Sequence, residues 1–429
     1  MKRFNLSQID FHAFIKRLRG LVLDDGTVES VRVMIREVAM HGDDAVRKLT
    51  KQFDHVTVED FSVTDEEFIQ AKNITSATIV NALSVAANNI EQFHRAQLPK
   101  PVEVQTMRGV VCRREWRPIR RVGLYVPGGS APLISTVLML GIPARIAGCE
   151  EILLCTPPAE SGEILAALLV AAEMVGIKRV YKIGGAQAIA AMAVGTLTIP
   201  CVDKIFGPGN RFVSAAKSIV SQPPYNVAID MLAGPSELLI IADESANPRW
   251  LAADLLSQAE HGKDSPVVLI STSSTLVDEV EKWISVQRSN LTRSAMIEES
   301  IRSSVALVVD HLDDAIRVAN EYAPEHLILA VNNSEKFIPR IQNAGSVFVG
   351  NFTSVVFGDY ASGTNHTLPT NGSAVATGGL TVESFMKPIS FQSITNEGFQ
   401  NLAAVAKTLA RAEGLDAHAN AVTVREESI

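Results

Sequence analysis

Several short stretches of the chain pair residue types able to hold a metal or move protons. Gln258 and His261 stand three apart in Leu255-Leu256-Ser257-Gln258-Ala259-Glu260-His261-Gly262. Asn247-Pro248 starts a helix there and Gly262 ends it, so both side chains share one face of the last turn. That spacing is competent to ligate a cation, although a histidine in a final turn is also explained by its favourable interaction with the helix dipole. Tyr322-Ala323-Pro324-Glu325-His326-Leu327 sets a carboxylate beside an imidazole at a helix-to-strand junction. An imidazole titrates near neutrality and a carboxylate can hold a water, which suits an acid–base pair; the spacing alone equally fits a solvated loop. Phe357 to His366 is polar and glycine-punctuated, without helical or strand period, and such long irregular segments tend to be functional. Glu413 and His418 follow the last helix. Imidazole, carboxylate and amide oxygen together suit zinc or another borderline divalent ion, but no local pattern forces the choice.

A second kind of signal is the glycine-rich turn. Pro127-Gly128-Gly129-Ser130, Gly184-Gly185-Ala186-Gln187 and Gly207-Pro208-Gly209-Asn210 each stand between an apolar strand and a helix. At the carboxyl end of a parallel strand, such turns let a pyrophosphate approach the backbone and a helix N-terminus. None matches G-x-G-x-x-G, and each alone reads as a plain tight turn. Three in one half-domain favour a nucleotide.

The elements positioning these groups follow from periodicity. Asp10 to about Leu98 is helical in pattern, with a helix start at Gly42-Asp43-Asp44 and a long helix over Thr75–Gln97; Gly109–Ile119 reads as extended. From Arg121, short apolar strands (122–126, 152–155, 180–183, 203–206) alternate with helices, and after Gly234-Pro235 the alternation resumes (238–241, 267–270, 305–309, 327–330). Continuous apolar strands between helices predict mostly parallel sheets covered on both faces. The expected fold is α/β, with two Rossmann-like, incompletely doubly wound domains, a helical N-terminal segment and a small C-terminal helical tail. Its expected divisions are 1–120, 121–235, 236–370 and 371–429. After Pro369 the pattern predicts a Gly/Ser/Thr-rich stretch and one amphipathic helix (Phe399, Leu402, Val405, Leu409), a tail too small for its own core.

Composition narrows the function. With 429 residues, 47% apolar and 20% charged, the chain is an ordinary globular protein of two or three domains. Its formal net charge of -8 argues against nucleic acid or an anionic membrane as partner, and no stretch is apolar enough to span a bilayer. Cys112, Cys149, Cys155 and Cys201 lack C-x-x-C spacing and read as buried small hydrophobes, so disulfides are not expected and the cytoplasm is the default compartment.

Taken together, 122–129, 184–188, 206–210, Ile229-Asp230-Met231, Ala233-Gly234-Pro235-Ser236-Glu237, 257–262, 324–327, Gly358-Asp359-Tyr360, Asn365-His366 and Glu413 with His418 resemble the histidinol dehydrogenase family over nearly the whole chain and in the family's order. The resemblance implies a zinc ion in each active site, held by Gln258, His261, Asp359 and His418 and positioning the substrate. It implies substrate contacts from Ser236, His326, His366 and Glu413, along with those four zinc ligands, and NAD contacts from Tyr125, Gln187 and Asn210. The implied reaction takes L-histidinol to L-histidine by two hydride transfers to two NAD molecules, with His326 as general base and Glu325 activating water. The implied assembly is a homodimer whose tail brings Glu413 and His418 to the partner's site.

Thr353-Ser354-Val355-Val356-Phe357 lacks the Pro-Glu frequent before Gly-Asp-Tyr in the family, and Lys387-Pro388-Ile389-Ser390 is also unusual; neither touches an implied ligand. Two other readings stand beside this one. A related NAD-dependent dehydrogenase would oxidise another small polar alcohol or diol. A two-domain α/β binding protein would close on a ligand without chemistry, and would tolerate replacement of Glu325 and His326.

Overall fold

The computed structural model describes residues 1–6, 15, 24–128, 132–232 and 234–428. Gly129, Ser130, Ala233 and most of 7–23 therefore lie outside the described residues, including parts of the first glycine turn and of the helical pattern expected from Asp10. The chain forms two compact units, one of residues 1–97 and 119–385, the other of 98–118 and 386–429.

The larger unit opens with strand β1 (Lys2–Asn5) and helices α1 (Asp25–Phe53), α2 (Asp65–Ile74) and α3 (Ala77–Arg95). The expected helix start at Gly42 is a kink inside α1, where Gly42 takes φ 54 and ψ -130. The pattern from Asp10 is not helical throughout, because 54–64 is irregular and bridges to the first sheet at Ser62–Tyr181. Ser76 starts α3 by accepting from the Ile79 N–H.

Omitting β2 (Val102–Met107) and β3 (Val110–Pro118) of the smaller unit, the first sheet is built from β4 (Arg121–Tyr125), α4 (Ile134–Ala147), β5 (Glu151–Thr156), α5 (Ala166–Met174), β6 (Arg179–Lys182), α6 (Gly185–Val194), β7 (Lys204–Phe206), α7 (Arg211–Val220) and β8 (Ala228–Ile229). Its order is β6-β5-β4-β7-β8 and every pair is parallel. The second sheet uses β9 (Leu238–Ala242), α8 (Pro248–Ala259), β10 (Val267–Ser271), α9 (Ser274–Arg288), α10 (Ser294–Ser303), β11 (Val305–Val308), α11 (Leu312–Tyr322), β12 (His326–Ala330), β13 (Ser346–Val349) and α12 (Val355–Tyr360). Its order is β1-β11-β10-β9-β12-β13, again all parallel.

Why these strands read as apolar blocks is plain from their packing. Leu238, Ile240 and Ala242 join one core with α8 and α9, whereas Leu239 and Ile241 join another with α11 on the opposite face. A strand buried on both sides has no polar face to alternate with, and each enclosed leucine or isoleucine contributes about 1.5–3 kcal/mol. In both sheets the winding runs outward from a central strand, then returns past it, which puts a switch point between β4 and β7 and another between β9 and β12. The α/β architecture with two parallel sheets is as the sequence predicts.

Three expectations are corrected. Asp359 does not lie on an irregular loop: 355–360 form the short α12, too brief for a helical period to show in sequence. Cys155 is buried, but Cys112 and Cys149 are only partly so and Cys201 is exposed; all four are free thiols. The chain after Pro369 holds more than one helix. In the smaller unit β14 (Met386–Ile394) pairs antiparallel with β3, β3 with β2, and α13 (Asn396–Ala412) packs on α14 (Asp416–Glu426). Residues 98–118, expected to belong with the N-terminal segment, thus share a sheet with the tail. Among the described residues no helix is long and apolar enough to cross a membrane.

Candidate active site

Ser236 and Glu237 immediately precede β9, and His326 opens β12, directly across from Leu238. The Glu–His pair therefore stands at the amino ends of two adjacent parallel strands. Its backbone is fixed by its neighbours: Ser346 N–H donates to Glu325 O at 2.9 Å and Gly345 N–H to Pro324 O at 2.9 Å. Gly345 has to be glycine, since a Cβ there would lie 2.6 Å from Glu325 O.

Both side chains are almost fully enclosed, with Glu325 5% and His326 4% exposed. Glu325 Oε2 accepts the Glu237 N–H at 2.8 Å and lies 3.4 Å from His326 Nδ1. His326 Nδ1 is 3.2 Å from the Glu237 backbone O. A carbonyl can only accept, so Nδ1 carries a proton whether the ring is charged or neutral, and in the neutral form the lone pair is on Nε2. Nε2 is buried without a hydrogen-bond partner among the described residues and faces Asp359 Oδ1 at 3.4 Å, longer than a good hydrogen bond. Burial alone would lower the proton affinity of this imidazole; Glu325 and then Asp359 outweigh it and raise the pKa to about 10. Burial would likewise raise the Asp359 carboxyl, but His326, with help from His366 and His261, holds it below its usual value.

His366 reaches the same cluster. Its Nδ1 lies 2.8 Å from the Asp359 backbone O and its Nε2 3.1 Å from Thr136 Oγ1 on α4, so an element of the first sheet's layer touches the site. Asn365 holds the segment in place, donating to Met139 O at 2.6 Å while its Oδ1 accepts the Thr367 N–H. Burial lowers the pKa of His366.

Gln258 lies in the last turn of α8, against which α12 packs. The shared helical face expected of Gln258 and His261 is corrected: the helix ends at Ala259 with Glu260 as its C-cap, and His261 follows it as an exposed residue. Gln258 is 1% exposed, yet neither Oε1 nor Nε2 has a hydrogen-bond partner among the described residues. A buried amide left in this state is costly, and an amide oxygen joined by an imidazole and a carboxylate would make a donor set that a borderline divalent cation takes. Among the described residues, no three His, Cys, Asp or Glu side chains are grouped to hold a metal by themselves. The residues present therefore fit a metal only with the Gln258 amide included. Glu413 and His418 belong to the smaller unit, where both are exposed.

The residues expected to hold NAD cluster at the carboxyl ends of the first sheet. Tyr125 ends β4, is 3% exposed, and its Oη accepts the Gly185 N–H at 3.0 Å. Gln187, in the first turn of α6, donates to Asp54 Oδ2 at 3.1 Å. Asn210 caps α7, its Oδ1 accepting from Phe212 and Val213 N–H. The turn before it is tight: Gly207 takes φ 124, and a Cβ there would be 2.0 Å from Tyr125 O. Its N–H donates to Asp230 Oδ2 at 2.8 Å and its O accepts from Lys217 at 2.9 Å, while Lys217 and Asp230 form a buried ion pair. The second and third glycine turns thus both reach Tyr125 at the end of β4, beside the β4/β7 switch point, the place where open α/β sheets bind nucleotides.

Sequence reasoning assigned no role to Asp54, Lys217, Asp230, Glu237 or Tyr322. Asp230, Glu237 and Tyr322 stand inside the motifs quoted above, which was the available signal; Asp54 and Lys217 sit outside them and carry none.

Residues 20–426 match the model of the family described as histidinol dehydrogenase. A histidinol dehydrogenase of Xanthomonas campestris is 50% identical over 399 residues, covering 93% of this chain and 92% of that protein. One of Bacteroides thetaiotaomicron is 49% identical over 397 residues, 92% of each. The crystal structure of histidinol dehydrogenase from Elizabethkingia anophelis matches with a TM-score of 0.95 at 46% identity, covering all of this chain and 98% of that one. The chain belongs to the histidinol dehydrogenase family of oxidoreductases.

Proposed function

We propose that the chain oxidises L-histidinol to L-histidine through L-histidinaldehyde, reducing two NAD+, and so completes histidine synthesis. The observation carrying this reading is the His326 ring, with Nδ1 on the Glu237 carbonyl, Nε2 unbonded, and the Glu325 carboxylate alongside. Family membership names the substrate, since the relatives are called histidinol dehydrogenases.

In the first oxidation His326 Nε2 takes the alcohol proton as the carbinol carbon gives up a hydride, and the C–O bond becomes the aldehyde carbonyl. Glu325 then takes a proton from water as the oxygen adds to that carbonyl, and His326 returns its proton to the former carbonyl oxygen, which gives the neutral hydrate and frees the imidazole. His326 receives one hydroxyl proton of the hydrate as the second hydride leaves to NAD+, and the carboxylic acid so formed gives its remaining proton to solvent as the carboxylate. Enclosure of Glu325 and His326 favours retention of the reactive aldehyde between the two steps.

Bound NAD+ supplies the hydride acceptor, and Tyr125, Gln187 and Asn210 are the residues to hold it. Bound zinc supplies a positive pole that orients the substrate's nitrogen atoms, with Gln258, His261, Asp359 and His418 as ligands. With Asp359 engaged in this way, His326 loses one of its two carboxylate supports, and its proton affinity falls toward that of a working base.

Metal analysis of the purified protein beside NADH stoichiometry tests the whole reading. About one zinc per chain and two NADH per histidinol are expected. One NADH would restrict the enzyme to a single oxidation; turnover of a diol with none of histidinol would transfer it to another substrate.

A further inference from the structure

Glu237 is a buried carboxylate, 6% exposed, to which the proposed mechanism gives no step. Its backbone touches both halves of the reactive pair. The N–H donates to Glu325 Oε2 at 2.8 Å, and the carbonyl oxygen receives His326 Nδ1 at 3.2 Å and the His326 N–H at 3.3 Å. The backbone of this one residue thus orients the water-activating carboxylate through its N–H and holds a proton on His326 Nδ1 through its carbonyl.

The side chain of Glu237 is held from elsewhere in the fold. Tyr322 Oη, at the end of α11, donates to Oε2 at 2.7 Å, and Asn371 N–H donates to Oε1 at 2.8 Å. Next to Asn371, Thr370 Oγ1 accepts the Gly234 N–H at 2.5 Å, so one short segment grips both ends of the 234–237 turn that carries Ser236. Burial, with a smaller contribution from the Glu325 charge, pushes the Glu237 carboxyl up to about 7 despite the two donors. A carboxylate in that setting is costly for stability alone, where an apolar or amide side chain would do.

We infer that Glu237 is a positioning residue for the oxidation, its pinned side chain setting the backbone N–H and carbonyl that align Glu325 and His326. This rests on the proposed function above. Misplacing a base by a fraction of an ångström slows the proton transfers without weakening ground-state binding, so the loss belongs in kcat.

The test compares E237Q, E237A and Y322F with wild type by steady-state kinetics on histidinol, with zinc content and circular dichroism measured on each. E237Q is expected to lose about 10–100-fold in kcat and E237A more, while KM for histidinol and zinc content stay within about threefold of wild type. Y322F, which removes one donor and leaves the carboxylate, falls between wild type and E237Q. A folded E237Q with undiminished kcat, or one whose loss lies in KM or zinc, overturns the inference. Should both Glu237 variants fail to fold, Y322F decides, and unchanged kcat there is equally fatal. A wild type silent towards histidinol would overturn the functional reading and this inference with it, whereas an active wild type beside an undisturbed E237Q overturns this inference alone.

Discussion

Gln258 shows most directly how a single side chain trades stability for a task. Its amide is enclosed, and neither polar atom finds a hydrogen-bond partner among the described residues. Leaving such groups unpaired costs about 1–3 kcal/mol each, and leucine fills nearly the same volume without that cost. Gln258→Leu is therefore expected to raise the thermal midpoint of the metal-stripped protein while abolishing the further rise that added zinc gives the wild type. Calorimetry with and without zinc reads both; an unchanged response to zinc would remove Gln258 from the ligand set. His326 sits on the other side of this division. Its Nε2 is the proposed base and not a proposed ligand, so His326→Asn should cost about 10²–10⁴-fold in kcat with zinc content intact. A variant retaining more than a tenth of wild-type turnover would disqualify it as the base. His261→Ala should do the reverse in metal analysis, losing zinc along with activity.

Among the elements, α3 is the least conspicuous and fixes the segment that carries His366. Asn89 donates to Ala361 O at 2.9 Å, and Gly363, at φ 117, lets the chain pass so close that a Cβ would be 2.9 Å from Asn89 O. His94, fully buried, places Nδ1 2.8 Å from Ile90 O, and Asn365 Nδ2 lies 3.3 Å from its Nε2. Burial lowers the pKa of His94. As pH falls through the unfolded value near 6.5, the unfolded chain takes a proton that the folded one refuses, so this contribution to stability is complete above 6.5 and is lost below it. The slope attributable to His94 is at most about 1.4 kcal/mol per pH unit. Gln can make both contacts without titrating, so His94→Gln should flatten the acid side of the stability profile; denaturant midpoints at neutral and mildly acid pH that fall equally in both proteins would refute this. None of this was legible in the sequence, where α3 shows only helical period. The blocks that were legible, such as 122–126 and 238–241, are strands buried on both faces. Among those missed were β1 and β14, whose residues are largely exposed and whose partners lie far away in sequence, and α12, shorter than two helical turns. The site was legible as separate motifs, but not the meeting of His326 with Asp359 or the contacts of Glu237 with both Glu325 and His326, because only tertiary packing joins them.

For the whole molecule, two sheets with the same winding serve opposite ends: the expected cofactor turns lie at the carboxyl ends of the first, the acid–base pair at the amino ends of the second. What the larger unit does not contain is Glu413 and His418, which the smaller unit carries on exposed positions at the end of α13 and within α14. The family resemblance assigns these two to the partner's site, and subunit mixing separates exchange from its absence. One parent is His261→Ala with an intact tail; the other is His418→Ala with an intact larger unit. On the proposed ligand set each should be inactive by itself, since every site would lack a zinc ligand. If tails are exchanged, a mixed dimer joins the intact larger unit of the second parent to the intact tail of the first, rebuilding one site of its two. Random re-association of equal amounts makes half the dimers mixed, so activity should recover to roughly a quarter of wild type. If each tail serves its own subunit, mixing leaves every site with the defect it began with. Recovery after co-refolding or co-expression is thus the expected result, and a mixture as inactive as its parents would place Glu413 and His418 in the site of their own chain.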